Sequence, residues 1–286
     1  MSFRKLCLTA ALVLFSMQTW TAAAPSLLIF DVPDSTGTDV SGINNRGDII
    51  GVFFDAQTRP RPFVFTQGAF TTLDIAAGIV GPLGINDRGQ IVGFTEMNIE
   101  FQGFIWDRGT ATQITVPPGA NTTYFHGINN RGQIVGHTRQ TQFDLARAFL
   151  WDNEEFTFLD IPGVLVAGDG EDSMAINDRG QIVGTIQEGG ITRGFLLADG
   201  EVTRISVPGA SDTWATGINN RGEIVGVYRV GGVPSDNVYL RLPDGSFTSI
   251  EIPGSVSSAV RINDRGDIVG SFTDTAGKLH GFLWSH

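Results

Sequence analysis

The residues of this chain best equipped for chemistry gather just upstream of a ten-residue sequence that recurs along it: GINNRGDIIG from Gly42, with relatives starting at Gly84, Gly127, Ala175, Gly217 and Arg261. Three positions before those starts stand Asp39, Gly81, Tyr124, Asp172, Trp214 and Ser258. Carboxylates accept hydroxyl hydrogen bonds and aromatic faces cover the apolar side of sugar rings, so Asp39, Asp172, Tyr124 and Trp214 suit a carbohydrate. The same aromatics read equally as packing between repeated units. His126, directly before the third motif, is a candidate proton carrier or a satisfied polar group. Arg261 replaces the small residue that opens the other five motifs, and its planar fork would either plug a central channel or grip a carboxylate.

A hydrolase would need Asp39 and Asp172 as a pair, with carboxyl groups roughly 5 to 9.5 Å apart. A lyase would lean on His126 and Arg261. The chain carries neither a Gly-x-Ser-x-Gly elbow nor a phosphate loop. Within the motif, Arg46, Arg88, Arg131, Arg179, Arg221 and Arg265 recur at one turn position. Six guanidinium tips on one face could hold a polyanion; the alternative is that they pair with carboxylates such as Asp87, Asp178 and Asp264 or extend into water. The recurrent Asn44, Asn86, Asn129, Asn177, Asn219 and Asn263 are expected to bond their own turn backbone. His137, His280 and His286 are dispersed, and zinc lacks its usual spacing of ligands. Asp169, Glu171 and Asp172 offer oxygen ligands to a calcium ion, although the segment is no EF-hand and solvated acids are the default reading.

Positioning these residues is the task of the repeat. From Ile43 to Ile262 is 219 residues over five intervals, a mean period of 43.8. Each period holds four strand-like pieces. The Ile-Asn stretch turns through Asn-Asx-Arg-Gly into a second strand, and the glycine supplies the positive φ of a tight hairpin. An aromatic strand follows, such as Phe149-Leu150-Trp151, and then a fourth, alternating strand such as Thr157 to Ile161, which ends at Pro162. Four antiparallel strands per unit predict an all-β, six-bladed β-propeller. After its N-terminal segment the sequence opens with a fourth-strand pattern, Leu28 to Val32, and the last strand-like piece is a third strand, Phe282 to Trp284. Ile29 to Val32 is therefore expected to pair beside Gly281 to Trp284 and close the ring.

The motif Gly-Ile-Asn-Asn/Asp-x-Gly-Gln-Ile-Val-Gly, followed by Arg147-Ala148-Phe149-Leu150-Trp151 or His280-Gly281-Phe282-Leu283-Trp284, resembles the bacterial extracellular HAF-repeat proteins over the whole chain after its N-terminal segment. That resemblance implies an exported, propeller-like repeat protein and no particular chemistry. Arginine at the variable turn position of every copy, and Arg261 in a column of small residues, depart from the usual pattern.

Arg4 and Lys5 precede an apolar run from Leu6 to Phe15, with Thr21, Ala22, Ala23 and Ala24 after it. This layout predicts a secretory signal over residues 1–23 and one propeller domain over 24–286, in the periplasm or outside the cell. No later run approaches the length of a membrane span, so no membrane insertion is expected. Cys7, the sole cysteine, lies inside the signal, which leaves no disulfide, thiolate nucleophile or thiolate metal site. Removing Arg4 and Lys5 from 19 bases leaves 17 against 30 acids, a net charge of −13. Nucleic acid is therefore a poor partner. The expected function is a monomeric binding module for an extracellular carbohydrate or other polymer, with a polysaccharide hydrolase or lyase, or a structural surface component, as alternatives.

Overall fold

Short runs of Ile, Val and aromatic residues bounded by Gly, Asn and Asp favour strands and tight turns over helices. The computed structural model describes residues 25–75, 79–97, 100–114, 120–140, 144–166, 174–231, 237–256 and 260–285. Every regular element among them is a strand, and the strands form six antiparallel sheets arranged as a six-bladed β-propeller. Blade 1 runs through Gly37–Ile43, Ile49–Phe54, Pro60–Thr66 and Ala69–Thr72, and blade 2 through Ile79–Ile85, Ile91–Met97, Glu100–Asp107 and Thr110–Gln113. Blade 3 comprises Thr122–Ile128, Ile134–Arg139, Arg147–Asp152 and Glu155–Phe158. Blade 4 is built on Ile182–Glu188, Ile191–Ala198 and Glu201–Ile205, blade 5 on Ile224–Arg229, Asn237–Arg241 and Phe247–Ile250, and blade 6 on Ile268–Thr273 and Leu279–Ser285; in each, two short pieces replace the innermost strand, as Val164–Leu165 and Ala175–Ile176 both pair with Ile182–Glu188.

The innermost strands of blades 1, 2 and 3 each carry a bulge, between Val40 and Gly42, Pro82 and Gly84, and Phe125 and Gly127. A bulge bends its strand and shifts which face later residues occupy. In these three blades the glycine that ends the motif sits against the innermost strand. A Cβ on Gly51 or Gly136 would overlap the carbonyl oxygen of Asp39 or Tyr124.

Each blade contributes one fully buried ring from its third strand: Phe63, Phe104, Phe149, Phe195, Tyr239 and Phe282. Burying a phenylalanine side chain stabilises by about 2 to 3 kcal/mol. The core is continuous from blade to blade rather than confined to each sheet. Trp214, Val225 and Val238 of blade 5 pack in one cluster with Ile262, Phe272 and Phe282 of blade 6. Tyr239 alone of the six carries a hydroxyl, which donates to the Trp214 carbonyl at 2.9 Å, and burial pushes its ionisation up.

Ser26–Phe30 forms the outermost strand of blade 6, pairing antiparallel with Leu279–Ser285. The expected partnership is present, with Ile29 opposite Phe282 and Phe30 opposite Gly281. The strand stops at Phe30 rather than Val32 because the Val32 N–H is taken by Thr38 Oγ1 at 3.0 Å. Asp31 then clasps the last hairpin, accepting from Lys278 Nζ at 2.6 Å and facing His280 Nδ1 at 3.0 Å. Among the described residues no helix is long and apolar enough to cross a membrane.

Candidate functional site

The face bearing the Asn-Asx-Arg-Gly turns is held by two concentric rings of hydrogen bonds. The inner asparagines turn their own backbone as expected: Asn44 Oδ1 accepts from the amides of Arg46 and Asp48 at 3.0 and 2.9 Å. Each also reaches the neighbouring blade. Nδ2 of Asn44, Asn86, Asn129, Asn177, Asn219 and Asn263 donates to the backbone carbonyl of the next asparagine, the last returning to Asn44, at 3.0 to 3.2 Å. The second amide hydrogen goes to the side chain four residues on, such as Gln133 or Asp267. Both donors and both acceptor sites of these buried amides are thereby used.

The second ring is formed by the next residue of each motif, and it alternates: Asn45, Asp87, Asn130, Asp178, Asn220, Asp264. Each backbone amide donates to the Oδ1 of the following member at 2.7 to 2.8 Å. Each asparagine Nδ2 donates to the Oδ2 of the aspartates on both sides at 2.8 to 3.0 Å. Alternation is what this geometry requires, because an amide offers two hydrogens and a carboxylate offers only lone pairs. The signal was present in the sequence as the regular exchange of Asn-Asn and Asn-Asp.

All six turn arginines are exposed, and they divide into two halves. Arg46, Arg221 and Arg265, on blades 1, 5 and 6, form ion pairs with Asp48, Glu223 and Asp267 at 2.6 to 2.8 Å. At the same position blades 2, 3 and 4 carry Gln90, Gln133 and Gln181 beside Arg88, Arg131 and Arg179. Exposed pairs of this kind contribute about 0 to 1 kcal/mol.

A chamber of about 100 Å³ lies on the axis inside these rings. Its lining runs from the half-buried Asn/Asp ring inward past Gly42, Gly84, Gly127, Ala175 and Gly217 to Leu83, His126 and Arg261. His126 and Arg261 stand on opposite blades, 3 and 6, and are 1% and 7% exposed. Burial lowers the Arg261 pKa to about 10, which leaves it a cation at neutral pH. Burial, and then the charge of Arg261 across the axis, push His126 down to about 3, so it is neutral. His126 Nε2 lies 2.8 Å from Nδ1 of His137, which stands on the other strand of the same hairpin and which the sequence analysis left among the dispersed histidines. Burial, then His126 and Arg139, hold His137 well below the usual histidine range. One ring must donate and the other accept, and the outer nitrogens, His126 Nδ1 and His137 Nε2, are buried with no hydrogen-bond partner among the described residues.

Of the other residues singled out by sequence, Tyr124 is 5% exposed and packs against Leu83, Phe94 and Phe101, with its ring 4.7 Å from His137. Trp214 is 7% exposed and sits in the core between blades 5 and 6, under the guanidinium of Arg229. Neither aromatic lies on a mouth surface. Asp39 is half-buried on blade 1 and absent from the chamber lining. Asp169, Glu171 and Asp172, the expected calcium ligands, lie outside the described residues, so the separation of Asp39 and Asp172 does too. Among the described residues no cluster of three or more His, Cys, Asp or Glu could hold a metal ion.

No protein-family model matches the chain, and no curated protein is similar to it in sequence. Several solved structures share its fold. TolB from Acinetobacter baumannii aligns at 15% identity and a TM-score of 0.60 over 88% of this chain, which spans 65% of TolB's length. A gluconolactonase from Xanthomonas campestris aligns at 14% identity and a TM-score of 0.59, over 91% of this chain and 90% of its own. The Aleuria aurantia lectin, in complex with Fucα1-6GlcNAc, aligns at 11% identity and a TM-score of 0.54, over 88% of this chain and 96% of its own. At such identities the likeness establishes the propeller and nothing of its chemistry.

Proposed function

We propose that this is an exported propeller that works as a binding module, its axial chamber receiving part of an extracellular carbohydrate or other polymer. One observation carries the reading: two buried polar side chains, His126 and Arg261, line one chamber whose walls otherwise require only small residues at the motif start. Export rests on the signal layout of residues 1–23 and on the HAF-repeat resemblance. The lectin bound to Fucα1-6GlcNAc is a fold neighbour compatible with a sugar ligand. Binding is favoured over lyase chemistry because burial and Arg261 make His126 a weak base.

The test is to incubate the purified protein with neutral, uronic and sulfated polysaccharides while following melting temperature and mass-spectrometric products together. A rise in melting temperature without products is the expected result, since a ligand that binds only the folded state stabilises it by mass action. New oligosaccharides would make it an enzyme. A flat response to the whole panel would leave a structural surface role.

A further inference from the structure

We infer that a concavity at the far end of blade 3 is a second ligand site, in which Arg147 receives the carboxylate of an acidic sugar residue. It is separate from the axial chamber, so neither site's failure bears on the other.

Strand two of blade 3 ends at Arg139, strand three starts at Arg147 and strand four ends at Phe158, so these residues meet on the face opposite the Asn-Asx-Arg-Gly turns. There they line a concavity of about 250 Å³ together with Gln140, Asp144 and Leu145. The guanidinium carbon of Arg147 stands 3.8 Å from the centre of the Phe158 ring. At that distance the cation rests on the ring face, a contact that fixes its position and uses none of its hydrogen-bond donors. Arg147 is exposed, and its guanidinium has neither an ion pair nor a hydrogen bond among the described residues.

The arrangement is confined to blade 3. Two residues before the buried third-strand ring, where blade 3 has Arg147, Arg61 of blade 1 pairs with Asp55, Arg193 of blade 4 donates to Ser206 Oγ and His280 of blade 6 faces Asp31. Blades 2 and 5 carry the uncharged Gln102 and Asn237 there. Opposite that buried ring, where blade 3 has Phe158, the other blades hold Thr72, Gln113, Arg204, Ser249 and Ile29, none aromatic. A stacked guanidinium with open donors beside a cavity is therefore no part of the scaffold that the repeat builds.

The lining also says which ligand. Two arginines against one aspartate make it positive on a chain of 30 acids and 19 bases, which favours an anion. The planar fork of Arg147 matches the two oxygens of a carboxylate. Leu145 and Phe158 are 70% and 38% exposed and offer apolar surface to the C–H face of a sugar ring. Gln140 and Asp144 supply an amide and a carboxylate for hydroxyls, and Asp144 disfavours a ligand with more than one negative charge. The volume is that of roughly eight waters at ~30 Å³ each, room for one sugar residue.

The test is to titrate glucuronate, glucose and acetate into the purified wild type, Arg147→Gln and Arg147→Lys, following the Leu145 methyl signals by NMR. Glucuronate should move those signals in the wild type and bind at least tenfold more weakly to Arg147→Gln. Arg147→Lys should recover only part of the loss, because an ammonium keeps the charge and not the fork. Glucose should leave Leu145 unmoved, and acetate should bind at least tenfold more weakly than glucuronate. Leu145 signals unmoved by glucuronate, or glucuronate binding unchanged in Arg147→Gln, would overturn the site. Glucose matching glucuronate would overturn the carboxylate, and acetate matching it would overturn the sugar. Should the variants misfold, the three wild-type titrations still decide. A polysaccharide-induced rise in melting temperature that persists in Arg147→Gln, with Leu145 unmoved, would leave the axial-chamber reading standing while this one fails.

Discussion

Asn263 donates its Nδ2 hydrogen to the backbone carbonyl of Asn44, 219 residues earlier in the chain, at 3.2 Å. This bond turns a row of five identical contacts into a closed belt around the axis. Blades 6 and 1 are thereby joined on the inside by the asparagine belt and on the outside by the Ser26–Phe30 strand.

The belt predicts the effect of breaking one link. Asn129→Ala removes donors to the Asn177 carbonyl and to Gln133, and it strips the acceptor used by the Arg131 and Gln133 amides. Leaving a buried partner unsatisfied costs about 1 to 3 kcal/mol. Several groups are orphaned at once, so a loss of about 3 kcal/mol is expected in urea unfolding. A loss under ~0.5 kcal/mol, the range of ordinary surface substitutions, would mean that the belt is not what holds the blades.

The alternating ring makes a prediction about charge. Asn130→Asp would remove both amide donors that bridge Asp87 and Asp178 and set a third carboxylate between them. Like charges at such distances repel, and protonation relieves them. The variant should therefore lose stability at pH 7 and recover part of the loss near pH 4, measured against wild type at each pH. Asn130→Gln, which keeps the charge but misplaces the amide, should show no such recovery. Equal losses at both pH values for Asn130→Asp would indicate geometry alone.

The period, the four-strand unit and the pairing that closes the ring were legible because turn glycines and alternating apolar runs are local signals. The direction of individual side chains was not. Counting three residues upstream of each motif assumes an uninterrupted strand, and the bulges at Val40/Gly42 and Phe125/Gly127 break that assumption. Tyr124 consequently packs against blade 2 while His126 lines the axis. His137 was passed over as dispersed, although it and His126 lie five and six residues either side of Arg131 at the hairpin turn. Hairpin pairing across that turn is the signal that would have joined them.

The outer seam is predicted to depend on one ring more than on its exposed neighbours. Phe30 stacks against Phe65 of blade 1 at 6.4 Å and lies 6.3 Å from Phe70, whereas Leu28 is 58% exposed. Phe30→Ala should cost about 2 kcal/mol, somewhat below the ~3 to 5 typical of a fully buried phenylalanine. Leu28→Ala should stay within about 0.5 kcal/mol, as exposed positions do. Comparable losses at the two sites would argue that the strand is seated in a different register.

Acid should act through the buried histidine pair before it acts on the carboxylates. In the unfolded chain both histidines take up protons as pH falls through 6.5, whereas in the folded protein His126 resists protonation to about 3 and His137 is likewise held low. The unfolded state then binds more protons than the folded state, so stability falls with falling pH across that window. Each histidine steepens that fall for as long as it stays neutral in the folded protein, and the pair does so about twice as strongly as one ring alone. Asp48 and Asp267, where burial raises the pKa but the summed hydrogen bonds and arginine charges hold it below 3.8, add acid sensitivity only as pH falls through 3.8. His126→Met, which borrows the residue Met174 places at the same position of blade 4, should halve the slope of unfolding free energy between pH 6 and 5. A wild-type slope near zero over that interval would show that the two rings are already protonated or solvated in the folded state, and the neutral, buried pair at the chamber wall would have to be abandoned.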